Sequence, residues 1–370
     1  MKKTDPISIL HVILLSMTVI GLKNHVTILP PLLQIGGRDG WASVILATLV
    51  MLPWGVLLLY IHKKSNQEPI RNWLEDRVGK VSSYTFIYTT IAFLLFLASV
   101  TMRETLQFVT NTFLPETPFI FLLIIFTVLC VLLATTDIQT IVMVNILVVV
   151  GVVGFGFFAA FTNIQVKDYN LLRPFFENGF QPVIKGMVYP ASGIVELIFF
   201  IFIQHKIKNP IRFSNFVVMT LILMGLTLGP LIGAITEFGP DEAAKQRFPA
   251  YEEWGLVTIG RFFEHLDFLS IYQWLTGTFI RVGLILYVVI DLLNMNGKRK
   301  GILIFIAPVF MIICLSLFSM SDSAFDEFKG KYVLPITFYI FFIMSLFLAT
   351  VAFVSVKSSR KEMKKDYEEA

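Results

Sequence analysis

Apolar residues run along this chain in long blocks that are hydrophobic on every face, separated by short polar loops. The stretch Ile141–Phe161 shows the pattern: it has neither a polar stripe at helical spacing nor an alternation of period two. A hydrocarbon slab of roughly 30 Å needs about 20 such residues per helix. Backbone polar groups inside lipid must be satisfied within the segment, so an open strand is excluded there. A barrel strand would alternate polar and apolar positions, which these blocks do not. The blocks predict ten spanning helices, near 6–34, 41–61, 82–110, 118–135, 138–161, 184–204, 213–237, 264–293, 301–320 and 332–356. The fold class is therefore an all-α membrane protein.

Composition agrees. Of 370 residues, 56% are hydrophobic and only 15% charged, with a mean hydropathy of +0.75. Soluble domains carry roughly 25% charge. The N-terminus, Met1-Lys2-Lys3 followed by an apolar run, imitates a signal peptide. It lacks a small-residue cleavage site and carries Pro6, so it reads as the first span. Cys130 and Cys314 both lie inside apolar blocks, as buried thiols would. With the N-terminus inside, the inner segments collect Lys2 and Lys3, the 63–80 loop, Lys206 to Arg212, Lys298 to Lys300, and the tail from Lys357 to Lys365. That is about twice the Lys and Arg of the outer loops, which fits both ends on the cytoplasmic side. The whole of 1–356 is read as one transmembrane domain. Residues 357–370 form a basic cytoplasmic tail that membrane lipid headgroups attract.

Ten spans divide into five and five, with halves near 6–161 and 184–356. An odd number per half makes the second half inverted relative to the first. Inverted repeats commonly place a site at the midplane between discontinuous helices, here spans 1 and 6. Span 1 holds Gly21, Lys23, Asn24 and His25 before Pro30-Pro31; span 6 holds Tyr189, Pro190, Ser192, Gly193 and Glu196. Proline removes a donor and disturbs the preceding turn. Ionisable groups at such depth are costly and face partners or water. Lys23 either binds a ligand carboxylate or pairs with Glu196. Glu196 either binds a ligand amine or serves as counter-charge to Lys23, Arg103 or Arg281. Arg103-Glu104 in span 3 reads as a structural or gating pair, and Arg281 in span 8 as either a structural or gating group or a plain internal ion pair. The outer segment 238–263, with Tyr251, Trp254 and Arg261, is either an interfacial helix or a lid. No metal-ligand spacing, phosphate-binding glycine loop or nucleophile elbow is present, so the reading is of a protein that is not an enzyme and takes no cofactor. Nothing points to nucleic acid.

Several of these residues form a familiar set. Leu29-Pro30 followed by Gly37-Arg38-Asp39-Gly40-Trp41, then Asn170-Leu171-Leu172-Arg173-Pro174 with Gly179 and Pro182, resembles the B subunits of bacterial spore germinant receptors. Arg103, Gly193, Glu196, Asp267 and Trp274 fit the same pattern, in order along the whole chain. That family is similar to the amino acid–polyamine–organocation transporters. The resemblance implies their LeuT-like five-plus-five fold, with a small nutrient, an amino acid or related molecule, held between spans 1 and 6. It also implies a sensing role beside A and C subunits in the spore inner membrane or the bacterial cell membrane. A proton- or sodium-coupled amino acid transporter is the alternative. Relatives often carry small residues where this chain has Lys23-Asn24-His25. The bulkier side chains fill part of that space, and predict either an anion-accepting site or a diverged ligand.

Overall fold

The computed structural model describes residues 6–258 and 266–368, with side chains as far as Val354. Those residues are helical apart from loops and one isolated bridge between Ile7 and Ile207. The first span is α1 (Ile9–Leu22), a π-helical turn over Lys23–Thr27, and α2 (Leu29–Gly36). Then come α3 (Gly40–Lys64), α4 (Ile70–Thr112), α5 (Phe119–Ala134) and α6 (Ile138–Thr162). The sixth span is assembled from α7 (Gln181–Gly186), α8 (Val188–Ile194), a 3-10 turn over Val195–Ile198, and α9 (Phe199–Phe202). There follow α10 (Phe213–Phe238), the short helices α11 (Pro240–Ala243) and α12 (Pro249–Gly255), and α13 (Leu269–Leu292). The chain closes with α14 (Arg299–Gly301), a π turn over Ile302–Ile306, α15 (Ala307–Phe318), α16 (Asp322–Phe328), a π turn over Lys329–Val333, and α17 (Leu334–Glu368).

Among the described residues, nine helical segments are long and apolar enough to cross a membrane. The 16-residue α5 is apolar but shorter, and stands where the sequence sets its fourth span. At 1.5 Å per residue it rises about 24 Å. The helix ends follow local chemistry. Ser8 caps α1, its Oγ accepting from the His11 N–H at 3.4 Å. Asp137 caps α6 through the Thr140 N–H at 2.8 Å. Both satisfy donors that helix starts leave free. The sequence placed the third span at 82–110, whereas α4 begins at Ile70. Gly79, at φ +78°, turns the chain between an extra segment and the spanning part; a residue with a Cβ is strained there.

Neither irregular span contains an unwound gap. Lys23–Thr27 is a wide π turn and Val195–Ile198 a tightened 3-10 turn, and the backbone stays in the right-handed region at their caps. The π turn overlaps the stretch 21–25 where the sequence places its first break, whereas 189–193, the second, is α-helical with Pro190 inside α8, and the 3-10 turn begins just after it.

In lipid the hydrophobic effect does not pull helices together, so close packing and polar contacts must. The helix α13 is central, packing on α1, α4, α5 and α6. Close approach relies on glycine: the Phe216 ring of α10 occupies the space that a side chain on Gly55 of α3 would need. The outward faces stay apolar, with Leu147 and Val150 of α6 among the most exposed residues.

Candidate functional site

The π turn after α1 carries Lys23 into the protein. Its Nζ donates to the Ser192 carbonyl at 2.8 Å and to Glu196 Oε1 at 2.9 Å. Glu196 sits in the 3-10 turn of the sixth span and is fully buried. Arg281 of α13 grips the same carboxylate with two nitrogens, Nη1 to Oε2 at 2.7 Å and Nη2 to Oε1 at 3.0 Å. It also donates to the Val19 carbonyl at 2.5 Å and to Thr101 Oγ1 at 3.1 Å. One carboxylate thus ties spans 1, 6 and 8 together, with span 3 attached through Thr101. Charge-assisted bidentate bonds of this kind are strong and directional.

A second set of charges lies beside the first. Thr27 Oγ1 donates to Glu104 Oε2 at 2.7 Å, and Lys329 Nζ donates to Glu104 Oε1. Lys329 also reaches Asp326 Oδ1 at 3.2 Å. Arg103 turns away from Glu104: it donates to Asp322 at 2.6 Å and lies over the rings of Phe318 and Phe325. The expected Arg103–Glu104 pair is therefore two separate pairs, because neighbours on a helix point about 100° apart. Lys329, Asp322 and Asp326 were missed as site residues. Their 3-to-4-residue spacing within 322–329, one face of a helical turn, was the available signal.

The remaining candidates divide between packing and a cavity. Asn24 donates to Thr227 Oγ1 at 3.0 Å, and its amide fills the space where a Gly193 side chain would stand. Gly193 is thus a clearance for Asn24. Ser192 donates its hydroxyl to the Tyr189 carbonyl, and Tyr189 packs with Ile28, Leu32 and Leu334. The crossing of spans 1 and 6 is accordingly filled by the chain's own side chains.

On the other side of span 1 lies a mostly apolar cavity of about 520 Å³ between α1, α6, α10, α12 and α13. Gly21 and His25 line it, together with Gly156, Gly225, Gly229 and Trp274. His25 Nδ1 lies 3.2 Å from the Leu226 carbonyl. Trp274 stacks on Phe108 at 3.8 Å between centroids. The helix α12 covers one end with Tyr251, Glu253 and Trp254. Trp254 donates to Gln273 at 3.1 Å, and Tyr251 to Asp267 at 2.9 Å. Of the segment expected as interfacial helix or lid, the part with Arg261 lies outside the described residues. Burial and the carboxylate of Glu237 push Glu253 well above the ordinary carboxylate range. Burial, with Asp267 alongside, pushes the Tyr251 phenol up to about 12. The Ser270 hydroxyl and Glu253 Oε1 line this end with no hydrogen-bond partner. Cavities of roughly 300–1,000 Å³ with a few polar groups are the usual form of small-molecule sites. Among the described residues, no group of three His, Cys, Asp or Glu is placed to hold a metal.

The sequence motifs before α3 and after span 5 form one unit. Arg38 donates to the Arg173 carbonyl at 2.5 Å and to Glu177 at 3.3 Å. Asp39 accepts from the Phe176 N–H at 3.0 Å, and the Trp41 ring packs on Phe175 and Phe176. The loop after span 5 is thereby fastened to the turn before α3.

The family described as "Spore germination protein" matches residues 6–323. Spore germination protein XB of Bacillus anthracis is 40% identical over 92% of this chain and 96% of its own length. Spore germination protein KB of Bacillus subtilis (strain 168) is 21% identical over 90% of this chain and 91% of its own.

Proposed function

The chain belongs to the spore germination protein family, and we propose that within it this protein is the nutrient-sensing B-type subunit of a germinant receptor. The observation that carries this reading is the 520 Å³ cavity set directly against the π turn of span 1. Gly21 and His25 face the cavity from one side of that turn. From the other side Lys23 holds Glu196, and with it Arg281. A small nutrient in the cavity presses on the same turn that anchors the ion pairs. Any preference of that nutrient for one arrangement of the turn shifts spans 1, 6 and 8 together, as a two-state switch requires. The apolar lining favours an amino acid or related molecule with a hydrophobic part, and the polar end takes its hydrogen-bonding groups. Two inverted halves, near 6–161 and 184–356, place the two irregular helices opposite one another. The excess of Lys and Arg in alternate loops sets both ends in the cytoplasm. In this reading the protein lies in the spore inner membrane beside A- and C-type subunits.

Gly229 and Gly225 test the site, because a Cβ on either meets nothing within 4 Å. Gly229→Leu fills the cavity without disturbing the ion pairs. Spores carrying it, with the subunit present at normal level, need about tenfold more nutrient for half-maximal germination, equivalent to ~1.4 kcal/mol of lost binding. An unchanged dose response across amino acids, nucleosides and sugars removes the cavity as the nutrient site. Gradient-driven accumulation of nutrient by the isolated subunit in proteoliposomes shows a transporter instead.

A further inference from the structure

Between the two sets of charges lies a second, small cavity of about 20 Å³, lined by Lys23, Arg281, Lys329, Thr27, Thr101 and Glu104 among others. A volume above roughly 10–15 Å³ accepts one water-sized guest. Its walls are unequal in charge. Three cations and one carboxylate, Glu104, line it, while Glu196 is bonded to Lys23 and Arg281 outside the lining; all five are at least 95% buried. Asp326, the third acidic partner, is shared with Arg247, which binds it at 2.6 Å.

The hydrogen bonds are unequal in the same sense. Lys23 uses two of its three N–H groups, on Ser192 and Glu196. Lys329 uses two, on Glu104 and Asp326. Arg281 uses four of five, on Thr101, Val19 and both oxygens of Glu196. One N–H remains on each cation. The acceptors are partly engaged: Glu104 takes Lys329 and Thr27, and Thr101 takes Arg281 while donating to Leu97. Thr27 donates to Glu104 as well. A guest here meets three free N–H groups and a net positive charge. Water would satisfy the free N–H groups and leave the charge unbalanced; a halide satisfies the one and balances the other.

We propose that this cavity is a binding site for a single monatomic anion, chloride under ordinary conditions, held by Lys23, Arg281 and Lys329 at the junction of spans 1, 3, 8 and 10. The anion balances the odd cation and so joins the Lys23–Glu196–Arg281 set to the Glu104–Lys329 set. The site is separate from the 520 Å³ cavity, and stands whether or not that cavity holds the nutrient.

Thermal unfolding of the full chain in phosphatidylcholine nanodiscs tests it, in sodium chloride against sodium gluconate at equal ionic strength. Chloride raises Tm in a saturable way, by roughly 2 °C or more once the site is filled, and bromide replaces it. Lys23→Met removes the odd charge and leaves two intact pairs, Arg281–Glu196 and Lys329–Glu104, so the chloride dependence disappears. Equal Tm in the two salts for the natural sequence overturns the proposal. So does a Lys23→Met protein that keeps the chloride shift. If that variant does not fold, bromide anomalous scattering from crystals of the natural protein decides. A peak between the three cations supports the site, and density for water alone overturns it.

Discussion

Replacing Glu196 by Gln removes the negative charge to which Lys23 and Arg281 are both bonded while keeping the side chain's shape. In the native protein Glu196 accepts three charge-assisted bonds, at 2.9, 2.7 and 3.0 Å, at zero exposure. The variant leaves two buried cations side by side with one amide oxygen between them. Breaking a buried pair by removing one partner costs about 3–5 kcal/mol. The lower end applies here, since the Gln oxygen still accepts one bond. For a chain of this size about 3 kcal/mol corresponds to a fall in Tm of roughly 4 °C. The assay is thermal unfolding in nanodiscs, in chloride-free buffer so that no anion compensates. Adding Lys23→Met to Glu196→Gln relieves the repulsion, so the double variant is more stable than the two single effects combined predict, by at least ~1 kcal/mol. A fall below roughly 2 °C for Glu196→Gln, or strict additivity in the cycle, refutes the view that this carboxylate clamps the spans.

Three further outcomes follow from the geometry. Gly193→Ala drives a methyl group into the Asn24 amide and breaks its bond to Thr227; a loss of about 1–3 kcal/mol is expected, checked by the same unfolding assay, and Asn24→Ala in that background recovers part of it. Arg103→Lys forfeits the planar contact with Phe318 and Phe325 and weakens the bond to Asp322, for an expected loss of roughly 1–2 kcal/mol; a stability equal to the parent's shows that the ring contacts contribute nothing. Glu253 holds its proton above the ordinary carboxylate range in the folded protein, so its contribution to stability is complete below about pH 4 and declines as pH rises toward the folded-state value. Glu253→Gln flattens that decline, and identical pH profiles for parent and variant dismiss it.

The spans were legible because lipid demands blocks apolar on every face, and such blocks survive without any knowledge of neighbours. The charges were legible one at a time for the converse reason: Lys23, Glu196 and Arg281 are conspicuous in apolar surroundings. That one carboxylate takes both cations depends on how three spans cross, which no local pattern records. Lys329 lies at the edge of its span and looks like an ordinary flanking lysine until α16 folds Asp326 against it. The large cavity leaves no trace in the sequence, since glycines such as Gly156 and Gly225 are common in membrane helices for packing reasons alone. The π turns were equally hidden. A helix apolar all round has no stripe whose phase would reveal an inserted residue.

Those turns have a consequence for register. Lys23 and Lys329 each occupy the first position of a π turn, in helices from opposite ends of the chain. A π turn holds one residue more than the helix around it, so everything beyond it is rotated by about 100° relative to an unbroken helix. If the turn in span 1 moves by a single residue along the chain, the residue it passes swings to another face while the helix keeps its length. Lys23 then leaves Glu196 without any rigid-body tilt. The membrane thickness that a spanning helix must match is unchanged, and the movement stays inside the protein, out of reach of the lipid around it.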